Sequence, residues 1–158
     1  MKNASIYVRN SHFYIVPLAY CAGVHINAEP IVVIADSVSD EALGQKILDT
    51  VALPEPEVAN PDDSIVMPLF KAAKVRSWKA FINGTQSIFL EQDVDGTIKL
   101  LPTINNGKCF LFAPEKTRVV SADCPPAEIG KAVRHLFQEI IDATRVQIPL
   151  GRTFKKNR

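Results

Sequence analysis

Two stretches of the chain carry helical periodicity. After Ser39-Asp40, which can cap a helix, with the acidic Glu41 in its first turn, Leu43, Ile47, Leu48 and Val51 fall on one stripe, and Pro54 and Pro56 end it. Pro125-Pro126 opens a second helix, in which Ile129, Val133, Leu136, Phe137, Ile140 and Ile141 recur with a period near 3.6. Strand character appears in Ser5–Arg9 and Phe13–Tyr20, which flank a polar Arg9-Asn10-Ser11-His12 turn. It appears again in Thr85–Gln92 and Thr97–Leu101, joined across Asp93-Val94-Asp95-Gly96, and in Thr117–Ser121. Ile31-Val32-Val33-Ile34 is wholly apolar and β-branched, as expected of a strand covered on both faces. Phe70–Phe81 is compatible with a short helix. The pattern predicts an α+β fold: one domain over residues 1–150, with a central, largely antiparallel sheet packed by the Asp40–Val51 and Ala127–Ala143 helices. Residues 151–158 are expected to form a basic C-terminal tail.

The chain also echoes itself. Ile31–Leu48 reads strand, Ala35-Asp36, capped turn, then Glu41-Ala42-Leu43-Gly44 and an apolar stripe; Thr117–Leu136 reads strand, Ala122-Asp123, turn, then Ala127-Glu128-Ile129-Gly130 and a stripe. A glycine inside a helix costs about 1 kcal/mol relative to alanine. Two at matched places call for a packing reason, and the expectation is that each lets its helix approach the neighbouring strand.

Composition narrows the chemistry. The 158 residues include 18 Lys+Arg, 17 Asp+Glu, 11 Pro and three cysteines, too few and too scattered for a disulfide framework. Arg9-Asn10-Ser11-His12 interrupts any apolar run of signal-peptide type, and Phe13–Val24 is too short to span a bilayer, so a cytoplasmic location without a membrane is expected. His12, His25 and His135 have no metal-ligand spacing, and there is no phosphate loop or nucleophile elbow; no catalytic residue, metal or cofactor is expected. His135 and Glu139 have the spacing of an exposed helical pair. Cys21 and Cys109 read as small buried hydrophobes, and Cys124, ahead of a helix, as a thiol whose pKa could be lowered.

Charge is segregated. Between Glu29 and Asp63 lie nine acidic residues and one basic residue, Lys46, a local balance of −8 that leaves +9 over the rest. Such a stretch is either an ordinary solvated surface or a face for a cationic partner. The second reading selects Asp36, Asp40, Glu41, Glu55, Glu57, Asp62 and Asp63 as partner-binding residues. Two other classes stay open. One is a small enzyme using His12 or His25 with a carboxylate; the other is an RNA-binding module using Lys71, Lys74, Arg76 and Lys79 interleaved with Trp78 and Phe81. The near-zero net charge gives no global reason to expect nucleic acid.

The run Ile31-Val32-Val33-Ile34-Ala35-Asp36-Ser37-Val38-Ser39-Asp40-Glu41-Ala42-Leu43-Gly44, then Val75-Arg76-Ser77-Trp78-Lys79-Ala80-Phe81, then the Ile129-Gly130 helix, resembles the CdiI-type immunity proteins of bacterial contact-dependent growth inhibition systems. The resemblance covers roughly Ile6 to Ile141 by the order of elements. It implies a cytoplasmic, non-catalytic protein without cofactors, which neutralises the C-terminal toxin domain of a delivered effector by tight binding. Many such toxins are nucleases with basic sites, which would give the acidic stretch a purpose. Immunity proteins vary at the toxin-binding surface, so the choice of interface residues rests on charge alone.

Overall fold

The computed structural model describes residues 1–56 and 66–146. Two hairpins build the sheet: β1 (Lys2–Arg9) with β2 (His12–Cys21), and β5 (Gln86–Gln92) with β6 (Ile98–Asn105). They join through β1 and β5, which run antiparallel with Ser5 opposite Phe89. The outer edge of β2 carries two short strands in succession, β4 (Val32–Ala35) along His12–Ile15 and β3 (Val24–Asn27) along Leu18–Cys21. The outer edge of β6 repeats the arrangement, with β8 (Arg118–Val120) along Ile98–Leu100 and β7 (Phe110–Phe112) along Thr103–Asn105.

A proline marks each change of partner. Pro17 lies between the two paired stretches of β2, and Pro102 between those of β6. Without an N–H a proline cannot donate to a ladder, so a mid-strand proline is tolerated where pairing stops. Each still accepts one bond at its carbonyl, from Ala28 N–H at 2.9 Å for Pro17 and from Ala113 N–H at 2.9 Å for Pro102.

Helix α1 (Asp40–Ala52) follows β4, and α4 (Pro126–Val146) follows β8. The chain therefore contains two β-β-β-β-α units. In the second unit the elements β6, β7, β8 and α4 each begin 86 residues after β2, β3, β4 and α1. The sequence echo is thus the visible end of a duplicated architecture.

Both long helices cover one face of the sheet. Alternate residues Ala4, Ile6, Phe13, Ile15, Ile88, Leu90, Ile98 and Leu100 meet Leu43, Ile47, Ile129, Val133, Leu136 and Phe137 in one core. Gly44 and Gly130, each the fifth residue of its helix, sit where the helices touch. A Cβ on Gly44 would overlap the Pro126 carbonyl and lie 3.0 Å from the Pro126 Cα; a Cβ on Gly130 would overlap the Asp40 carbonyl and lie 2.9 Å from the Asp40 Cα. The expectation of a helix–strand approach is corrected: each glycine admits the first residue of the opposite helix.

The other face is covered in part by α2 (Met67–Ala73) and α3 (Trp78–Ile82), where one short helix was expected. Leu69, Phe70, Ala73 and Phe81 pack on Tyr7, Tyr14 and Val16. Burial pushes the Tyr7 phenol above its ordinary pKa, while its hydroxyl donates to Asn27 Oδ1 at 3.1 Å. Strand β4 lies along part of one edge of β2, with Val33 exposed, rather than being covered on both faces. The expected last helix and both hairpins are present, and no helix among the described residues is long and apolar enough to cross a membrane.

Candidate functional site

The acidic residues chosen from the sequence divide into three groups. Asp36, Asp40 and Glu41 lie together at the β4–α1 turn and the start of α1. Ser39 caps this helix by accepting from Ala42 N–H at 3.1 Å, and the two acids in the first turn face the positive end of the helix dipole. Glu55 is exposed beyond the far end of α1, about 20 Å away for a helix of this length. There Lys2 Nζ donates to the Ala52 and Leu53 carbonyls, both at 3.1 Å, supplying the cation that the last turn of α1 lacks. Glu57, Asp62 and Asp63 lie outside the described residues, as does the basic tail 151–158.

The three acids at the turn are not equivalent. The Arg134 guanidinium, from α4, donates to Asp40 Oδ1 at 2.7 Å, to the Asp36 carbonyl at 2.6 Å and to the Val38 carbonyl. It also lies over the Phe13 ring, 5.3 Å from its centroid. The Asp40 carboxylate is therefore partly engaged within the fold, with its side chain 41% exposed. Glu41 is exposed, and the exposed surface of α1 continues through Gln45 and Asp49, where Gln45 Nε2 donates to Asp49 Oδ1 at 2.8 Å. Asp49 was counted in the acidic run but not chosen from it. The signal that places it with Glu41 is its position two helical turns on, at i+8.

The competing chemistries can be placed as well. His12 opens β2 and its Nδ1–H donates to the Asn10 carbonyl at 2.8 Å; His25, opposite Tyr20, contacts Asn3 at 3.1 Å. They sit at opposite ends of the strand, roughly 27 Å apart at the strand rise, and do not converge. No group of His, Cys, Asp and Glu among the described residues could hold a metal ion. Glu139 pairs with Arg118 of β8. Cys109 is exposed rather than buried. The Cys124 thiol is pushed up in pKa, first by desolvation and then by Glu128 and Asp123, against the expected lowering. Trp78 and Phe81 are spent on packing: Phe81 is fully buried, the two rings stack at 5.6 Å, and the Trp78 indole N–H donates to the Lys108 carbonyl at 3.2 Å.

No family model matches the sequence, and no curated protein matches it. Solved structures do match in fold. A protein of unknown function from Neisseria meningitidis, NMB0488, superimposes with a TM-score of 0.71 at 16% identity, over 87% of this chain and 94% of that one. A chain of the CdiA-CT/CdiI toxin and immunity complex from Yersinia pseudotuberculosis superimposes with a TM-score of 0.67 at 15% identity, over 87% of this chain and 95% of that one. At these identities the likeness shows a shared fold.

Proposed function

We propose that this protein is a CdiI-type immunity protein, which binds the C-terminal toxin domain of a contact-dependent growth inhibition effector and neutralises it by occupying its surface, without turnover. The observation that carries this reading is the near full-length likeness to a chain of a toxin and immunity complex, which covers 95% of that chain. The sequence resemblance to the same family supports it. The two histidines most open to a catalytic role stand apart, which favours binding over chemistry.

The toxin-facing surface we assign is the acidic one: Asp36, Asp40 and Glu41 at the head of α1, with Glu55, Glu57, Asp62 and Asp63 beyond its end. A carboxylate-rich face suits a basic nuclease domain, because opposite charge speeds encounter and favours the correct partner. Within the first group Glu41 is the most exposed, while Asp40 contributes less because Arg134 already shares its charge.

The test is co-purification of the full chain with the C-terminal toxin domain of a contact-dependent growth inhibition effector from the same genome, together with rescue of growth when that domain is expressed. Stable co-purification and rescue are the expected result; rescue failing in the presence of well-folded protein overturns the reading. Charge reversal in E41K/E55K/E57K/D62K/D63K is expected to slow association about tenfold at low salt. Association unchanged by that variant moves the interface off the acidic surface.

A further inference from the structure

We propose that the α2–α3 helical pair is a binding platform for the phosphate backbone of a nucleic-acid duplex, recognised by charge and without reading its sequence. This inference does not rest on the toxin-binding proposal, whose described acids Asp36, Asp40, Glu41 and Glu55 lie before, on and after α1 and carry the opposite charge. Lys71, Lys74, Arg76 and Lys79 are all exposed, within nine residues that contain no acid. Lys108, whose backbone carbonyl accepts from the Trp78 indole, is a fifth exposed cationic residue with its backbone against α3. Among the described residues none of the five is ion-paired, whereas Lys99, Arg118 and Arg134 each have a carboxylate partner.

The platform is held firmly. Phe70, Trp78 and Phe81 form a continuous aromatic contact beneath it, and Leu69, Phe70 and Phe81 anchor both helices on the sheet. Because those rings are packed inward, they are not offered as stacking surfaces for unpaired bases, which separates this site from single-strand binders. What remains outward is a set of point charges, and these suit phosphates on a regular duplex.

The conformation of Lys74 is a second, independent observation. Helix α2 ends with Val75 N–H bonded to the Phe70 carbonyl at 3.0 Å and Lys74 N–H to the Lys71 carbonyl at 3.2 Å. That pair of bonds places Lys74 in the left-handed region, at φ 56° and ψ 41°. Glycine is the residue favoured there, since a Cβ is strained in that conformation. A lysine in this place forgoes stability and keeps an exposed cation at the end of α2, between Lys71 and Arg76 in sequence. Beyond Lys79 the surface falls into a cleft of about 650 Å³ whose lining is mostly apolar, with Ala80 and Ile82 beside Ser77 and Asn83, so the cationic track ends at Lys79.

The experiment is fluorescence anisotropy of the full chain with a labelled 20-base-pair DNA duplex of arbitrary sequence, and with the matching RNA duplex, between 50 and 200 mM salt. Binding is expected to weaken with a log–log salt slope of about −4, at about 0.9 per neutralised phosphate, and to be alike for unrelated DNA sequences. K71E/K74E/R76E/K79E is expected to abolish binding at 100 mM salt. The variant R152Q/K155Q/K156Q/R158Q, which removes the tail cations, is expected to retain it. Should the fourfold reversal fail to fold, Lys74→Gly decides alone: it is expected to raise Tm while making the salt slope shallower by about 0.9. Absence of binding at 50 mM salt, loss of binding in the tail variant, competition by poly-L-glutamate as effective as by unlabelled duplex, or an unchanged slope in Lys74→Gly each overturn the proposal.

Discussion

The two β-β-β-β-α units share their framework and differ in their charges. Both switch edge partners at a mid-strand proline, Pro17 or Pro102, and both give the fifth residue of the helix to glycine. Those features answer backbone problems that any copy of the unit meets: where a ladder stops, and how closely two helices cross. The charged features occur once. Arg134 in α4 corresponds by the 86-residue offset to Leu48 in α1, and Asp40 corresponds to Pro126, so the Arg134–Asp40 contact has no counterpart across the duplication. The α2–α3 segment, whose cations have no ion-pair partner among the described residues, lies after α1 and before β5, between the two units rather than inside either. Geometry common to both units marks the scaffold; chemistry confined to one marks what was added to it.

The strongest test of that division is at the helix crossing. Gly44→Leu or Gly130→Leu forces a side chain into the backbone carbonyl of the opposite helix, which cannot move like the end of a flexible side chain. Each is expected to cost about 3 kcal/mol or more, read as a fall in the denaturation midpoint. The double variant is expected to cost less than the sum of the two single ones, since either leucine already forces apart the one α1–α4 crossing in which both close approaches lie. A single variant that melts with the parent protein would remove the crossing as a shared structural requirement.

A smaller effect separates the unique charged contact from the shared framework. Arg134→Leu gives α4 the residue that α1 carries at the matching place, and it strips the Asp36 and Val38 carbonyls and the Phe13 ring of one partner. The expected loss is about 2 kcal/mol. Asp40→Asn keeps the carbonyl bonds and removes only a solvent-screened charge, so about 0.5 kcal/mol is expected. Equal losses in chemical denaturation would mean that the ion pair, rather than the carbonyl bonds, holds the turn.

What the sequence could show follows the same division. The helices, the hairpins and the turn at Asp93–Gly96 were legible because periodicity, caps and turn residues act locally: Gly96 N–H bonds the Asp93 carbonyl at 3.0 Å, as the Asp-Gly pair suggested. The glycines were legible as close approaches, but their partner was not, because nothing local tells a helix neighbour from a strand neighbour. Strand β3 was missed: it is four residues long, reached through Ala22-Gly23, both at positive φ, without a strong turn signature. The apolar run of β4 suggested burial on both faces because composition does not reveal a sheet edge. At the candidate site, the acidic run was plain in the sequence, whereas the engagement of Asp40 depends on an arginine 94 positions away. The α2–α3 cations were visible as a cluster, but that their aromatic neighbours point inward emerges only from the packing.

The smallest difference between the units is at their hairpin turns. The β1–β2 turn has two residues, Asn10 and Ser11, at φ 46° and 59°, between the paired Arg9 and His12. A two-residue turn with both φ positive favours Asn-Gly, because its twist matches that of the strands and glycine takes the second position without strain. The β5–β6 turn already has glycine at its positive-φ position, Gly96 at φ 86°. Ser11→Gly therefore brings the first turn to the chemistry of the second, and is expected to stabilise the protein by about 0.5 kcal/mol. Gly96→Ala does the reverse: its Cβ enters a strained conformation and comes within 3.0 Å of the Ala122 Cβ, with an expected cost of about 1 kcal/mol. Urea midpoints moving in opposite directions would show that both turns are limited by backbone conformation. If Ser11→Gly lowers the midpoint instead, the first turn is held by its serine side chain, and the two hairpins are closed by different physics.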